Sequence, residues 1–284
     1  MTGPTTAEFP VADSLTLVAD EWNRNQDLPG QPTVLMLHGG GQNRLSWKNT
    51  GQLLADNGFH VVALDARGHG DSDRSPNGDY TVDALAQDVL AVLDLIGRPV
   101  VLIGASMGGL TGIKVAYRAG PQRVTKLVLV DVVPRFESEG SHRIRDFMTR
   151  HVHGFATLEQ AADAIADYLP HRRRPQSTEG LKKNLRYRGG RWHWHWDPAF
   201  VTSAGSDPFV DVDMLESEAV ALRIPILLIR GKLSDVVSSE GVADFLAKVP
   251  HARFVELSDA GHTAAGDDND AFSEAVVSFL RQSD

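Results

Sequence analysis

The apolar residues of this chain follow two rhythms. Short continuous runs at Thr33–Leu37, 59–64, 99–103, 126–130 and 224–229 have no polar side, as strands covered on both faces require. Between them, apolar residues recur at helical spacing. Val82, Leu85, Ala86, Val89, Leu90, Leu93 and Ile96 mark one helix, with Thr81 able to cap its start and Gly97 its end. Shorter helical stretches are predicted over 53–57, closed by Gly58, and over 110–117, 242–249 and 270–280. Arg253–Leu257 reads as a further strand, and Leu15, Leu17 and Ala19 alternate with polar neighbours, as in a half-exposed strand near a sheet edge. Strands alternating with helices from residue 33 onward imply right-handed crossovers and a mostly parallel sheet. Functional sites of such sheets lie beyond the carboxyl ends of the strands.

Over residues 134–222 the rhythm changes: buried strands stop and helical stretches dominate. Thr157 and Gln160 form a capping box for a helix carrying Leu158, Ala161, Ala162, Ile165 and Leu169. The parallel pattern resumes afterwards, so this is an insertion within a core made of 1–133 and 223–284. It holds a basic island of Arg172, Arg173, Arg174, Lys182, Lys183, Arg186, Arg188 and Arg191, read as a solvated face or as an attraction for an acidic substrate. It also holds Trp192, Trp194 and Trp196 alternating with His193 and His195. If extended, that stretch puts indoles on one face and imidazoles on the other. No third ligand stands at a metal-binding spacing, so the tryptophans are expected to anchor the insertion or, at Trp194 and Trp196, to line an apolar substrate pocket.

Composition narrows the function classes. The chain has 284 residues, 42% hydrophobic and 23% charged, enough for one large α/β domain with an insertion. A formal net charge of −9 argues against nucleic acid as a partner, and the absence of cysteine excludes disulfides, thiolate metal sites and a cysteine nucleophile. The first twenty residues lack a basic and apolar leader, and no run reaches about 18 apolar residues. The expectation is a soluble cytoplasmic protein with a small-molecule substrate and no membrane partner; oligomeric state is not readable.

Candidate chemistry gathers at strand ends. Gly104-Ala105-Ser106-Met107-Gly108 sits between a buried strand and a helix, a corner tight enough that residues two before and two after the serine must be small. That corner exposes the hydroxyl and aims the Met107 amide at whatever it attacks. The run 33–37 leads into His38-Gly39-Gly40-Gly41, and 59–64 leads into Asp65-Ala66-Arg67-Gly68-His69-Gly70. Asp65, Arg67 and His69 read mainly as a hydrogen-bonded turn. Asp235 follows strand 224–229 in a Gly231-x-x-x-Asp235 context, Asp131 follows 126–130, and His262 follows 253–257 after Gly261.

The order Ser106, Asp235, His262, each just past a strand, together with these motifs, resembles the α/β-hydrolase superfamily over nearly the whole chain. The resemblance implies an eight-stranded mostly parallel sheet, residues 134–222 as a helical cap over the site, and no metal or organic cofactor. It implies Ser106 as nucleophile, His262 as base, Asp235 as the orienting acid with Asp131 as rival, and backbone donors at Gly40 and Met107 for the oxyanion. A serine at the elbow disfavours the dehalogenase and epoxide-hydrolase branches, which carry aspartate there. The expected activity is hydrolysis of an ester or lactone of a small, partly apolar or aromatic substrate through an acyl-enzyme. Carbon–carbon bond hydrolysis or cofactor-free perhydrolysis on the same triad is the alternative, and a ligand-binding role on the same fold is the reading from another class.

Overall fold

The structure is a computed structural model and describes residues 3–24, 31–168, 177–202, 209–258 and 270–282. Its strands are β1 (Thr5–Pro10), β2 (Thr16–Trp22), β3 (Thr33–Leu37), β4 (Val61–Leu64), β5 (Val100–Ala105), β6 (Val124–Val130), β7 (Leu185–Arg188), β8 (Arg191–Trp194), β9 (Ile226–Gly231) and β10 (Arg253–Leu257). Its helices are α1 (Lys48–Asp56), α2 (Val82–Ile96), α3 (Met107–Ala119), α4 (Ser138–Arg150), α5 (Leu158–Tyr168), α6 (Ala199–Thr202), α7 (Val212–Ala221), α8 (Ser239–Lys248) and α9 (Asp270–Arg281). Eight strands form one sheet in the order β1-β2-β4-β3-β5-β6-β9-β10, parallel from β4 to β10 and antiparallel at β1 and β2.

Period-two alternation divides each central strand between two cores. Leu35 and Leu37 of β3 join Val89, Ile113, Leu215 and Phe245 from α2, α3, α7 and α8 on one face. Val34 and Met36 join Leu54 of α1 and Phe272 and Val276 of α9 on the other. Both faces are therefore roofed, which is why these strands read as unbroken apolar runs. The ends of α2 follow the expected chemistry: Thr81 accepts the Ala84 N–H and Gly97 closes the helix at φ 67°.

Two departures from the sequence pattern concern edges. The strand at 16–22 stands one in from the edge, as its pattern suggests; the departure is β1, which the pattern did not mark and which pairs along its outer side from Thr5–Glu21 to Pro10–Thr16. The segment between β6 and β9 is not wholly helical: β7 and β8 make a hairpin turning at Gly189 and Gly190, with φ of 57° and 79°. A Gly-Gly pair between alternating apolar positions is a direct hairpin signal. Within this segment Met148, Phe155, Leu158, Ala161, Leu185, Trp194 and Trp196 form a separate apolar cluster. The Thr157–Gln160 cap is present, with Gln160 reaching back to the Ala156 N–H. Of the basic island, Arg172, Arg173 and Arg174 lie outside the described residues. Arg186 pairs with Asp71, and Arg191 donates to the His153 and Gly154 carbonyls.

Candidate active site

The corner between β5 and α3 holds Ser106 at φ 47° and ψ −117°, a region that L-residues avoid. Backbone closes around it on both sides. A β-carbon at Gly104 would lie 2.3 Å from the Gly108 carbonyl oxygen, and one at Gly108 would lie 2.3 Å from the Leu37 carbonyl oxygen. The two glycines thus let β5, α3 and the end of β3 close to backbone contact. At Gly39 a β-carbon would come 3.4 Å from Ser106 Cβ, so the glycine loop after β3 abuts the serine.

That loop distributes its amides unequally. Gln42 Oε1 accepts the Gly39 N–H at 3.1 Å, and His69 Nε2 accepts the Gly41 N–H at 3.2 Å. The Gly40 N–H has no acceptor among the described residues. His38 Nε2 accepts the Ala66 N–H at 3.0 Å, so its proton sits on Nδ1 and is donated to the Gly39 carbonyl at 2.8 Å. The Gln42 N–H also reaches that carbonyl, at 3.0 Å. Because the peptide is planar and trans, the two donors that hold the Gly39 carbonyl also fix the direction of the Gly40 N–H. Desolvation keeps the ring neutral: burial lowers the His38 pKa to about 4.

The turn after β4 behaves as its sequence suggests. Asp65, fully buried, accepts the Arg44 and Asp71 N–H groups at 2.6 and 2.9 Å and pairs with the Arg44 guanidinium. Arg67 makes a two-pronged bond to Asp88 at 2.6 and 2.7 Å. His69 is fully buried, donates from Nδ1 to the Arg67 carbonyl at 3.1 Å, and has its pKa lowered to about 3 by burial and then by His38. With both nitrogens engaged it has no capacity to serve as a general base.

The two candidate acids occupy different surroundings. Asp131 is wholly buried at φ 50°, the second non-glycine residue in this region held at positive φ on a strand end. Its Oδ1 accepts the Gly231 N–H at 3.1 Å and its Oδ2 accepts the Ser234 hydroxyl at 2.5 Å. Ser234 Oγ takes N–H bonds from Val236 and Val237, both at 3.2 Å, so its own proton goes to Asp131. Asp235 points elsewhere: its carboxylate, 36% exposed, pairs with Arg143 of α4. Gly140, one turn earlier, permits that approach, since a β-carbon there would fall 2.3 Å from the Asp235 carbonyl oxygen. His262 lies outside the described residues.

Apolar side chains from the segment between β6 and β9 close over the glycine loop. Phe200 Cζ sits 3.2 Å from where a side chain at Gly40 would begin, Met148 Cε 3.0 Å from the same point at Gly41, and Trp196 Nε1 3.8 Å from it. Trp194 stands behind Trp196, the rings stacked at 6.3 Å. Phe200, Met148 and Ser234 are additions that the sequence did not single out; for Phe200 the signal is Asp197, whose carboxylate caps α6 through the Ala199 N–H at 3.0 Å. A hollow of about 550 Å³ lies between α4 and α5, lined by Arg143, Phe147 and Tyr168, but its described lining includes neither the glycine loop nor Ser106. Among the described residues no three His, Asp or Glu side chains converge as a metal site, and no helix is long and apolar enough to cross a membrane.

A strained serine at a strand-to-helix corner, beside an open backbone donor, on this sheet order defines a class. A family model described as the alpha/beta hydrolase fold matches residues 32–268, and the chain belongs to that family. An esterase of Mycobacterium tuberculosis is 30% identical over 257 residues, 88% of this chain and 83% of that protein. A pimeloyl-(acyl-carrier protein) methyl ester esterase of Vibrio parahaemolyticus is 28% identical over 258 residues, 88% of this chain and 94% of that protein. The crystal structure of an alpha/beta hydrolase from Novosphingobium aromaticivorans matches with a TM-score of 0.82 at 27% identity, covering 99% of both chains. The protein is a hydrolase by family, and its esterase homologues support ester substrates.

Proposed function

We propose that the protein hydrolyses esters or lactones of small, partly apolar substrates through an acyl-enzyme on Ser106. The observation that carries this is the strained Ser106 beside the unpartnered Gly40 amide. His262 takes the Ser106 proton as the oxygen attacks the carbonyl carbon. The oxyanion that forms is held by the Gly40 and Met107 N–H groups. Collapse breaks the bond to the leaving oxygen, which receives the proton from His262. Water then attacks the acyl-serine, gives its proton to the same ring, and releases the acid with Ser106 restored.

For the orienting acid we propose Asp131 in place of Asp235. Burial, left-handed backbone strain and two fixed hydrogen bonds support it, whereas the Asp235 carboxylate is engaged by Arg143. Residues 134–222 are proposed as the cap, with Trp196, Phe200 and Met148 shaping an apolar pocket beside the glycine loop and Trp194 backing Trp196. Incubation with a fluorophosphonate followed by peptide mass spectrometry, alongside a panel of p-nitrophenyl and aryl esters and lactones, tests the reading. The expected result is one adduct, on Ser106, and loss of turnover by about 10⁴-fold or more in Ser106→Ala. Hydrolysis retained in Ser106→Ala would overturn it.

A further inference from the structure

Gly41, the last of the three loop glycines, is held by one buried histidine and neighboured by a second, and the mechanism uses neither. Its N–H goes to His69 Nε2 at 3.2 Å. Nearby stands His195, which leaves the end of β8 and is 5% exposed. Its Nδ1 accepts the Gly70 N–H at 2.8 Å, which puts its proton on Nε2. That Nε2–H is buried with no acceptor at hydrogen-bonding distance among the described residues. Burial holds the ring well below its ordinary pKa, His69 and His38 add to this, and the Gly41 backbone is the group that works to keep a proton on it. The rings of His69 and His195 lie 6.1 Å apart, and Phe200 meets the His69 ring edge-on at 4.7 Å.

We propose that His69 and His195 are positioning residues of the oxyanion hole, His69 acting on Gly41 and His195 on the turn that carries His69, so that the neighbouring Gly40 N–H stays aimed at the reacting carbonyl. This rests on the reading above that Gly40 is a donor. The path is contiguous. His195 fixes the Gly70 amide, the Asp197 N–H fixes the Gly68 carbonyl at 2.7 Å, and the turn so clipped presents His69 to Gly41. Gly41 sits at φ 75°, and without a β-carbon its peptide has other basins within reach. The acceptor on its N–H selects one of them. Two residues of the inserted segment therefore set the shape of a hole built from the β3 loop, and the hole is complete only while that segment is seated.

The test compares His69→Leu, which removes the acceptor, with His69→Gln, whose Oε1 reaches the place of Nε2. For His69→Leu, kcat should fall about 10- to 100-fold with KM within about twofold, since a misaimed donor costs transition-state binding selectively. The affinity of a phenylboronic acid, whose serine adduct carries the tetrahedral anion, should fall by the same factor. His69→Gln should recover most of both. His195→Leu should act in the same direction, and the double variant should lose less than the product of the two. If His69→Leu does not fold, His69→Asn, whose oxygen stops at the Nδ1 position, replaces it in the comparison with Gln. Unchanged kcat and boronate affinity, or a glutamine variant no better than leucine or asparagine, would overturn the proposal while Ser106→Ala remains inactive. Hydrolysis surviving in Ser106→Ala would instead overturn the proposed function beneath it.

Discussion

Asp131 and Asp235 stand at the carboxyl ends of neighbouring strands, β6 and β9, yet the molecule treats them differently. Asp131 is sealed into the frame that also holds Ser106, His38 and His69, with backbone strain and fixed donors around it. Asp235 belongs to the rim, where α4 meets the loop after β9, and its partner Arg143 is 59% exposed. Geometry that must be held to a fraction of an ångström is built where solvent cannot compete. An exposed ion pair between two elements holds about 0–1 kcal/mol and can be remade.

The largest break in this comparison is expected from amide substitution. Asp131→Asn should lower kcat by about 10³- to 10⁴-fold, by analogy with loss of the buried acid in other serine triads, while Asp235→Asn should stay within about tenfold. Kinetics of both variants on one ester decide it, and the reverse order would return the acid to the rim.

Acid should expose the frame next. His38, His69 and His195 are all held neutral by burial, with folded pKa values of about 4 and about 3 for the first two. Between those values and the ordinary 6.5 the unfolded chain binds protons that the native state refuses. The stabilisation is therefore full above pH 6.5 and is lost as pH falls toward 4, by about 1.4 kcal/mol per pH unit for each histidine. Thermal melts from pH 8 to 4.5 should show Tm dropping steeply below 6.5, with the same curve in Arg143→Gln. A flat profile would mean that the histidines are not buried neutral.

The smallest effect concerns Ser234, which belongs to the rim loop but serves the frame. Ser234→Ala removes one of the two hydrogen bonds that Asp131 accepts from Gly231 and Ser234, and should lower kcat about tenfold with KM nearly unchanged. Recovery in Ser234→Thr is expected. Equal loss in kcat and 1/KM would point to a disturbed pocket instead.

These differences also explain what was legible in the sequence. Strands covered on both faces announce themselves by composition, and Gly104 and Gly108 announce the corner because only glycine survives backbone contact at 2.3 Å. Between the two acids the sequence decides less, because the Gly231-x-x-x-Asp235 spacing reports that a carboxylate follows β9 but not which way it turns. That depends on Gly140 and Arg143, nearly a hundred residues away in the chain. The Trp-His alternation applied through Trp194 and then failed: the chain leaves β8 there, so His195 and Trp196 are both buried despite being adjacent. The Gly189-Gly190 turn carried its own signal, whereas β1 buries only Ala7 and Phe9 and ends in proline.

The φ of 47° at Ser106 has a further meaning for the evolution of the chain. A non-glycine residue in that basin costs of order 1–3 kcal/mol, comparable with a sizeable share of a domain's net stability. Glycine would relieve most of it, so selection for folding alone pulls position 106 away from serine. On the role proposed for Ser106, stability and catalysis are opposed at one residue, and a more robust version of this fold lies a single substitution from an inert one.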